Sequence, residues 1–213
     1  EDKELLVRAF ARSIKELTDY IPGPDMGTDE HCMAMIHDEI NRAVGLPKSR
    51  GGLPLNELGM TGFGIAVAAD EACKKIAMDL KNARVIIQGF GHVGKAAALF
   101  LIQRGAKIIG VSDINGALVN HGGIDIPELI DKMESGSTVS QSGLGVAMLK
   151  ERLMELNSDI FIPSARPDVV TELNQHLIKT RLILEGANIP ITHEAARILH
   201  NRGIIIIPDI IAN

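Results

Sequence analysis

Three glycines, Gly89, Gly91 and Gly94, have the spacing of a turn that binds the phosphates of a dinucleotide. In such a turn the first glycine permits a tight bend, the second lets the backbone approach a pyrophosphate, and the third lets the next helix pack against the preceding strand. The N–H groups at the start of that helix, at the positive end of its dipole, would hold the phosphates. Glycine-rich loops are common, so an ordinary strand–turn–helix crossover is the alternative.

The residues around the turn favour the nucleotide interpretation. A β-branched strand precedes the turn, and an alanine-rich helix follows it. A second predicted strand ends in Asp113, 24 positions after Gly89 and close to the spacing of a carboxylate that binds ribose hydroxyls. Asp113 would repel a 2′-phosphate, and no Lys or Arg follows it before Lys132. The sequence therefore favours NAD, with NADP as the alternative.

The last three predicted strands end in small, polar or proline residues. Two of these residues, Ser164 and Asn188, are candidate ligand contacts. In open α/β sheets, ligands bind outside the carboxyl ends of the strands, at the point where the strand order reverses. Ser164 and Asn188 could therefore hydrogen-bond a ribose or a nicotinamide amide. Each residue alone could equally end a strand or cap a helix, but three such strand ends together favour a site.

The sequence from residue 84 onward alternates short apolar strands with helices. Continuous Ile, Val and Leu runs are typical of a parallel sheet that is covered on both faces. We predict an α/β fold: a doubly wound, Rossmann-type parallel sheet within residues 59–213, preceded by helices within residues 1–58. The predicted strands are 84–88, 106–112, 159–162, 181–184 and 204–207; the predicted helices are 3–18, 28–44 (capped by Thr28), 61–80, 92–104, 127–134, 145–156, 168–179 and 193–202, with an exposed loop over 134–144.

Composition narrows the class of protein. Among the 213 residues, 27 acids against 22 bases argue against nucleic acid as a partner. No apolar run approaches the roughly 18 residues that span a membrane, and no signal peptide is recognisable. Cys32 and Cys73 lack metal-ligand spacing, so we interpret them as reduced thiols of a cytoplasmic protein, with no metal site. The chain opens without Met, inside a helix-like pattern, and we expect it to be part of something longer.

Seven separated motifs occur in an order that resembles the glutamate/leucine/phenylalanine/valine dehydrogenase family. The forms of the first two resemble the glutamate dehydrogenases in particular. The resemblance implies reversible oxidative deamination of an L-amino acid to a 2-oxo acid and ammonia, with hydride transfer to NAD(P), in a homo-oligomer, a hexamer when full length. The motifs are 22–30, 59–64, 89–94, 111–116, 159–165, 185–190 and 207–213.

The resemblance also implies roles for individual residues. Asp25 matches the aspartate that exchanges protons with the amine, and Pro22 and Pro24 stiffen its loop. Asp29 and Glu30 better fit the start of a helix. The matching lysine segment is expected upstream of Glu1, so the chain alone is expected to be inactive. The expected nucleotide-binding residues are Thr61, Gly89, Phe90, Gly91, His92, Val93, Gly94, Asp113, Ile114, Ser164, Ala165 and Asn188.

Some features leave alternatives open. Residues 1–58 are expected to come from the substrate domain and the interdomain cleft, so most substrate-recognition residues lie elsewhere, and leucine, valine or phenylalanine remain alternative substrates. Ile189 stands where the family more commonly has glycine. Two other classes compete with an amino-acid dehydrogenase: a non-catalytic dinucleotide-binding or regulatory module, and a different Rossmann enzyme.

Overall fold

The computed structural model describes residues 2–55 and 57–213, which form two compact units that divide between Leu58 and Gly59. In the first unit, helix α1 (Asp2–Ser13) and helix α2 (Glu30–Ile40) pack against each other. A single turn of 3-10 helix, Lys48–Arg50, follows them. The small core between the two helices consists of Val7, Ala11, Cys32, Met33 and Ile36.

Both helices of the first unit are shorter than predicted, for local and long-range reasons. The Ser13 hydroxyl donates to the carbonyl of Phe10, and such a side-chain bond competes with continued helix. The guanidinium of Arg42 donates to the carbonyls of Ile14 and Leu17. These backbone carbonyls, which lie beyond the end of α1, are therefore satisfied without continuing the helix. The predicted cap Thr28 is wrong. Asp29 caps α2 instead, accepting the Cys32 N–H at 2.8 Å.

The second unit is built on one seven-stranded sheet, and the predicted fold class is confirmed. Its helices and strands, in chain order, are α3 (Met60–Lys75), β1 (Arg84–Gln88), α4 (His92–Gln103), β2 (Lys107–Ser112), β3 (Ala117–Val119), α5 (Ile126–Glu134), β4 (Val146–Met148), β5 (Ile160–Pro163), β6 (Leu182–Leu184), α6 (His193–Asn201), β7 (Ile205–Ile207) and α7 (Asp209–Ala212). The strand order is β4-β3-β2-β1-β5-β6-β7; β2, β1, β5, β6 and β7 run parallel, while β3 is antiparallel to both of its neighbours.

Both faces of the sheet are covered, as the continuous apolar strands predict. Along β1, Val85 and Ile87 belong to the core shared with α3, α4 and α5, while Ile86 belongs to the core shared with α6. This alternation follows from the period of two in a strand. Within the described part of the chain, no helix is both long and apolar enough to cross a membrane.

Two predicted helices in the second unit are wrong. The apolar residues of 145–156 recur at helical spacing, but residues 146–148 form β4 against β3, and a 3-10 helix, Lys150–Glu155, follows. Val146 is 72% exposed, so the apolar residue that begins the predicted helix lies outside the core. Segment 168–179 holds only a short 3-10 turn, because Asp168 adopts a positive φ and Val170 forms a β-bridge with Ile191.

The strands β3 and β4 were not predicted, and the loop 134–144 is less exposed than predicted. A three-residue strand is too short to show a recognisable alternation, and sheet pairing decides its conformation. Within the loop, the side chain of Val139 is fully buried, and Ser142 is nearly so. The loop therefore contributes to the core despite its Ser/Gly-rich composition.

Candidate functional site

The strand order places a topological switch point between β1 and β5. From β1 the chain moves to β2, β3 and β4 on one side and then returns to β5 on the other. The turn that follows β1 and the loop that follows β5 therefore meet at one edge of the sheet. A Cβ on Gly89 would lie only 2.6 Å from Cα of Ala165. Ligands of open α/β sheets bind in such a crevice.

The turn after β1 is held tightly by its neighbours. Gly89 has φ = 94°, which only glycine adopts readily. The N–H groups of Gly89 and Phe90 both donate to the carbonyl of Ser112, at 2.9 and 2.8 Å. A Cβ on Gly94 would lie 2.0 Å from the carbonyl oxygen of Gly89. The glycines at both ends of the turn are therefore required by the backbone itself.

The N-terminus of α4 opens onto this crevice. Gly91 is its N-cap residue, and no side chain of the described residues caps it. The N–H groups in a first helical turn have no partner inside the helix, and they lie at the positive end of the helix dipole. A Cβ on Gly91 would meet no described atom within 4 Å. The turn thus presents donors and open space to an anion, and these residues fit a pyrophosphate.

The other predicted residues of the turn have different surroundings. The ring of Phe90 is buried in the core, and its N–H is used by Ser112. His92 is exposed and Val93 is half-buried. Thr61 lies in the first turn of α3, and the adjacent Gly62 packs against α4 so closely that a Cβ there would lie 2.4 Å from the backbone nitrogen of Ala97. This packing brings the first turn of α3 beside the N-terminal half of α4.

Ser164 joins the ends of β1 and β5. Its hydroxyl lies 3.0 Å from the carbonyl oxygen of Gln88 and 2.8 Å from that of Gly89, and it donates to this pair. Its hydrogen is therefore committed to the turn, and its oxygen remains available as an acceptor. Gly186, in the loop after β6, also packs on this residue, because a Cβ at Gly186 would lie 3.0 Å from the Ser164 Cβ. The loops after β1, β5 and β6 thus adjoin.

Asp113 organises the loop at the end of β2. One carboxylate oxygen accepts the N–H groups of Asn115 and Gly116 at 2.7 and 3.0 Å, and the other accepts the N–H of Val139 at 3.1 Å. Ile114 is exposed, and its carbonyl accepts a hydrogen bond from the ammonium group of Lys150 at 2.7 Å. The fold thus brings a cation to this loop from a distant part of the chain, which the sequence order could not show.

The loop after β6 contains Asn188 and touches the segment after β7. The side-chain carbonyl of Asn188 accepts from the amide of Asn213 at 2.7 Å. Glu185 is only 7% exposed, and its Oε2 accepts the N–H of Asp209 at 2.9 Å. Burial raises the pKa of the Glu185 carboxyl, and the N–H of Asp209 opposes that rise. Neither acid is among the residues predicted for the site, although Glu185 directly follows β6 and Asp209 lies two residues after β7.

Asp25 lies in the first unit, in a tight turn. Its Oδ1 accepts the N–H of Met26 at 2.7 Å, and its carbonyl accepts both the N–H and the hydroxyl of Thr28. The Asp25 N–H in turn donates to the Thr28 hydroxyl at 2.8 Å. The side chain of Asp25 is exposed within the described residues. Its carboxylate is thus presented on a turn that local hydrogen bonds hold.

Comparison with known proteins gives a consistent result. The profile of the family described as glutamate/leucine/phenylalanine/valine dehydrogenase matches residues 51–213. The catabolic NAD-specific glutamate dehydrogenase RocG of Bacillus subtilis is 39% identical over 222 aligned positions, which cover 99% of this chain and 52% of that protein. The NADP-specific glutamate dehydrogenase of Saccharolobus shibatae is 41% identical over 202 positions, which cover 91% of this chain and 48% of that protein.

Solved structures agree with the sequence comparison. The hetero-hexameric glutamate dehydrogenase of Thermus thermophilus superposes with a TM-score of 0.88 at 25% identity, covering 98% of this chain and 52% of that one. The glutamate dehydrogenase of Peptoniphilus asaccharolyticus superposes with a TM-score of 0.74 at 29% identity, covering 99% and 52%. The chain thus spans about half the length of the relatives that it matches.

Proposed function

The chain belongs to the glutamate/leucine/phenylalanine/valine dehydrogenase family, and from this premise we propose that the whole protein catalyses the reversible oxidative deamination of L-glutamate. The products are 2-oxoglutarate and ammonia, and NAD(P) accepts the hydride. In this proposal residues 59–213 form the dinucleotide-binding domain, and residues 1–58 belong to the substrate domain and the interdomain cleft. The observation that carries the proposal is the open N-terminus of α4 at the switch point of the sheet.

Each part of the crevice has a role in this proposal. The N–H groups of His92, Val93 and Gly94 hold the pyrophosphate, and Gly91 leaves room for it. At the adenosine end, Asp113 and Ile114 border the ribose. At the other end the nicotinamide, whose ring exchanges the hydride, is bordered by four residues: Thr61, Ser164, Ala165 and Asn188. The loops that carry Ser164 and Asn188 adjoin the glycine turn, which supports this arrangement.

We propose NAD as the preferred nucleotide. The carboxylate of Asp113 sits at the end of β2, where it would accept a ribose hydroxyl and repel a 2′-phosphate. The relatives include NAD-specific and NADP-specific enzymes. The ammonium group of Lys150 lies at the same loop and could attract a 2′-phosphate, so NADP(H) is the alternative. Measuring the affinities for NADH and NADPH distinguishes the two.

Asp25 is proposed as the residue that exchanges protons with the substrate amine. Its turn is fixed by the hydrogen bonds with Thr28 and Met26, so the carboxylate is held in a defined direction. An ordered carboxylate of this kind can take a proton from an ammonium group and return it. The lysine that shares this chemistry in the family has no counterpart among these 213 residues.

We further propose that the whole protein forms an oligomer and acts in the cytoplasm. A hexameric relative superposes on nearly all of the chain, which supports the oligomer. Both cysteines, Cys32 and Cys73, are buried free thiols, and reduced thiols are the rule in the cytoplasm.

Nucleotide binding is tested by titrating NADH into the wild type and into the variant Gly91→Val. The new side chain fills open space in the apo protein, so the fold should survive, but it blocks the approach of a pyrophosphate. We expect the dissociation constant to rise about tenfold or more, while the protein stays folded with a melting temperature lowered by no more than a few degrees, because valine is a poorer N-cap than glycine. Equal NADH affinity in the two proteins would contradict the assignment of the turn.

The catalytic role of Asp25 is tested with the variant Asp25→Asn in the whole protein. An amide cannot exchange the amine proton, so we expect kcat for L-glutamate to fall about 10²–10⁴-fold. NADH affinity, as the folding control, should not change. L-leucine, L-valine and L-phenylalanine, assayed beside glutamate, test the choice of substrate. If kcat stays close to that of the wild type, Asp25 is only a turn residue.

A further inference from the structure

Ile189, directly after Asn188, has an unusual backbone conformation. Its φ is 45°, in the left-handed region that β-branched residues adopt only under constraint. Its side chain is 64% exposed, so burial of the side chain does not compensate for this conformation. Another interaction must therefore hold the backbone of Ile189 in place.

The carboxylate of Asp209 supplies that interaction. Its Oδ2 accepts the N–H of Ile189 at 2.8 Å, across 20 residues of sequence. The carbonyl of Ile189 in turn accepts the N–H of Asp168 at 3.0 Å. Both polar groups of the strained residue are thus fixed, and charged acceptors such as Asp209 make the stronger hydrogen bonds.

Asp209 is itself held by hydrogen bonds to Glu185 and Ile210. Its backbone N–H donates to Oε2 of the buried Glu185, and its Oδ1 accepts the N–H of Ile210 at 2.7 Å. Glu185 lies at the end of β6, where its own N–H donates to the carbonyl of Ile207 in β7. The carboxylate of Asp209 therefore has a fixed position relative to the sheet.

We propose that Asp209 is a positioning residue for the nicotinamide end of the dinucleotide. Its carboxylate orients the peptide group between Asn188 and Ile189, and this sets the direction in which Asn188 presents its side chain. The inference rests on the proposed function, which places Asn188 at the nicotinamide. Asp209 itself acts through Asn188 rather than by touching the nucleotide.

The experiment compares two ligands in four proteins: the wild type, Asp209→Ala, Ile189→Gly and the double variant. NADH and ADP-ribose are titrated in the whole protein; ADP-ribose shares the pyrophosphate but lacks the nicotinamide. Asp209→Ala removes only the side-chain contacts, because its backbone bond to Glu185 remains. We expect this variant to bind NADH about tenfold more weakly and ADP-ribose almost as well as the wild type.

The glycine background provides the decisive comparison. Glycine adopts a positive φ without help, so the loss of NADH affinity caused by Asp209→Ala should be smaller when residue 189 is glycine. Asp209→Asn is the control, since its single amide oxygen can still accept the Ile189 N–H while only the Ile210 N–H loses its acceptor, and we expect nearly wild-type affinity. If Asp209→Ala does not fold, adding Ile189→Gly should restore folding.

Three results would overturn the inference: equal weakening of both ligands, no weakening, or the same loss in both backgrounds. Failure of Ile189→Gly to restore folding to an unfolded Asp209→Ala variant would also overturn it. If the wild type binds neither ligand, the proposed function fails, and this inference fails with it. If the wild type binds both ligands but the effect of Asp209→Ala is the same with isoleucine and with glycine at position 189, the proposed function stands and only this inference fails.

Discussion

The turn after β1 and the loop after β6 lie at the same edge of the sheet, but they are held in different ways. In the turn, Gly89 and Gly94 occupy positions where any Cβ would collide with backbone atoms. In the loop, Ile189 takes a left-handed conformation that a carboxylate from beyond the next strand holds in place. Residue type sets the first conformation, whereas tertiary contacts set the second.

The difference shows which kind of change each region should tolerate. A turn that depends on the absence of side chains is damaged by adding a single methyl group. A loop that depends on a distant hydrogen bond is damaged by a change far away in sequence, and it can be relieved by substituting the strained residue itself. The following predictions separate the two cases.

The largest effect is expected for Gly94→Ala. The new methyl group would lie 2.0 Å from the carbonyl oxygen of Gly89, and neither group belongs to a flexible side chain. We expect the free energy of unfolding to fall by about 2 kcal/mol or more, measured by urea denaturation, with NADH binding lost. Gly91→Ala is the control, because its Cβ meets no described atom within 4 Å, and its stability should change by no more than about 1 kcal/mol, since alanine is a poorer N-cap than glycine. Similar stabilities for the two variants would remove the distinction between these glycines.

A smaller effect is expected for Asp113→Ala, in a loop that combines local and distant bonds. The substitution leaves the N–H groups of Asn115, Gly116 and Val139 without their acceptor. We expect a loss of about 1 kcal/mol in unfolding free energy, because water can replace part of these bonds. The wild type should bind NADH more tightly than NADPH, and the variant should narrow that difference. Tighter binding of NADPH by the wild type would reverse the proposed preference and direct attention to Lys150.

The smallest effect is expected for Glu185→Gln, and it depends on pH. Burial raises the pKa of Glu185 above its usual value of 4.5. The unfolded chain then loses this proton at a lower pH than the folded protein, so the contribution of Glu185 to stability is fully present below the unfolded pKa and is lost as the pH rises through the folded pKa. The neutral glutamine does not titrate and can still accept the N–H of Asp209. The stability of the variant relative to the wild type should therefore grow across that range, by an amount on the order of 1 kcal/mol or less. Parallel pH profiles from thermal unfolding would show that Glu185 does not titrate there.

Much of the central sheet could be predicted because its signals are local. The strand 84–88, the glycine turn and the helix that follows were predicted almost to the residue, since apolar runs and glycines act within a few positions. The prediction failed where contacts with distant strands decide the secondary structure. The apolar residues of 145–156 recur at helical spacing, yet residues 146–148 of this segment pair with β3. In 168–179, a left-handed Asp168 and a bridge from Val170 replaced the predicted helix.

The candidate site likewise has features that local sequence predicts and features that depend on tertiary contacts. The sequence by itself determined the glycine turn, the polar residues after the strands and the family, because these depend on residue type and order. Only the tertiary structure decided which groups hold them: Ser112 at the turn, Ser164 between two strands, Lys150 at the carbonyl of Ile114, and Asp209 at Ile189. Hydrogen bonds between residues 20 to 76 positions apart leave no periodic trace in a sequence, because they depend on how strands are ordered in the sheet rather than on which residues are neighbours in the chain.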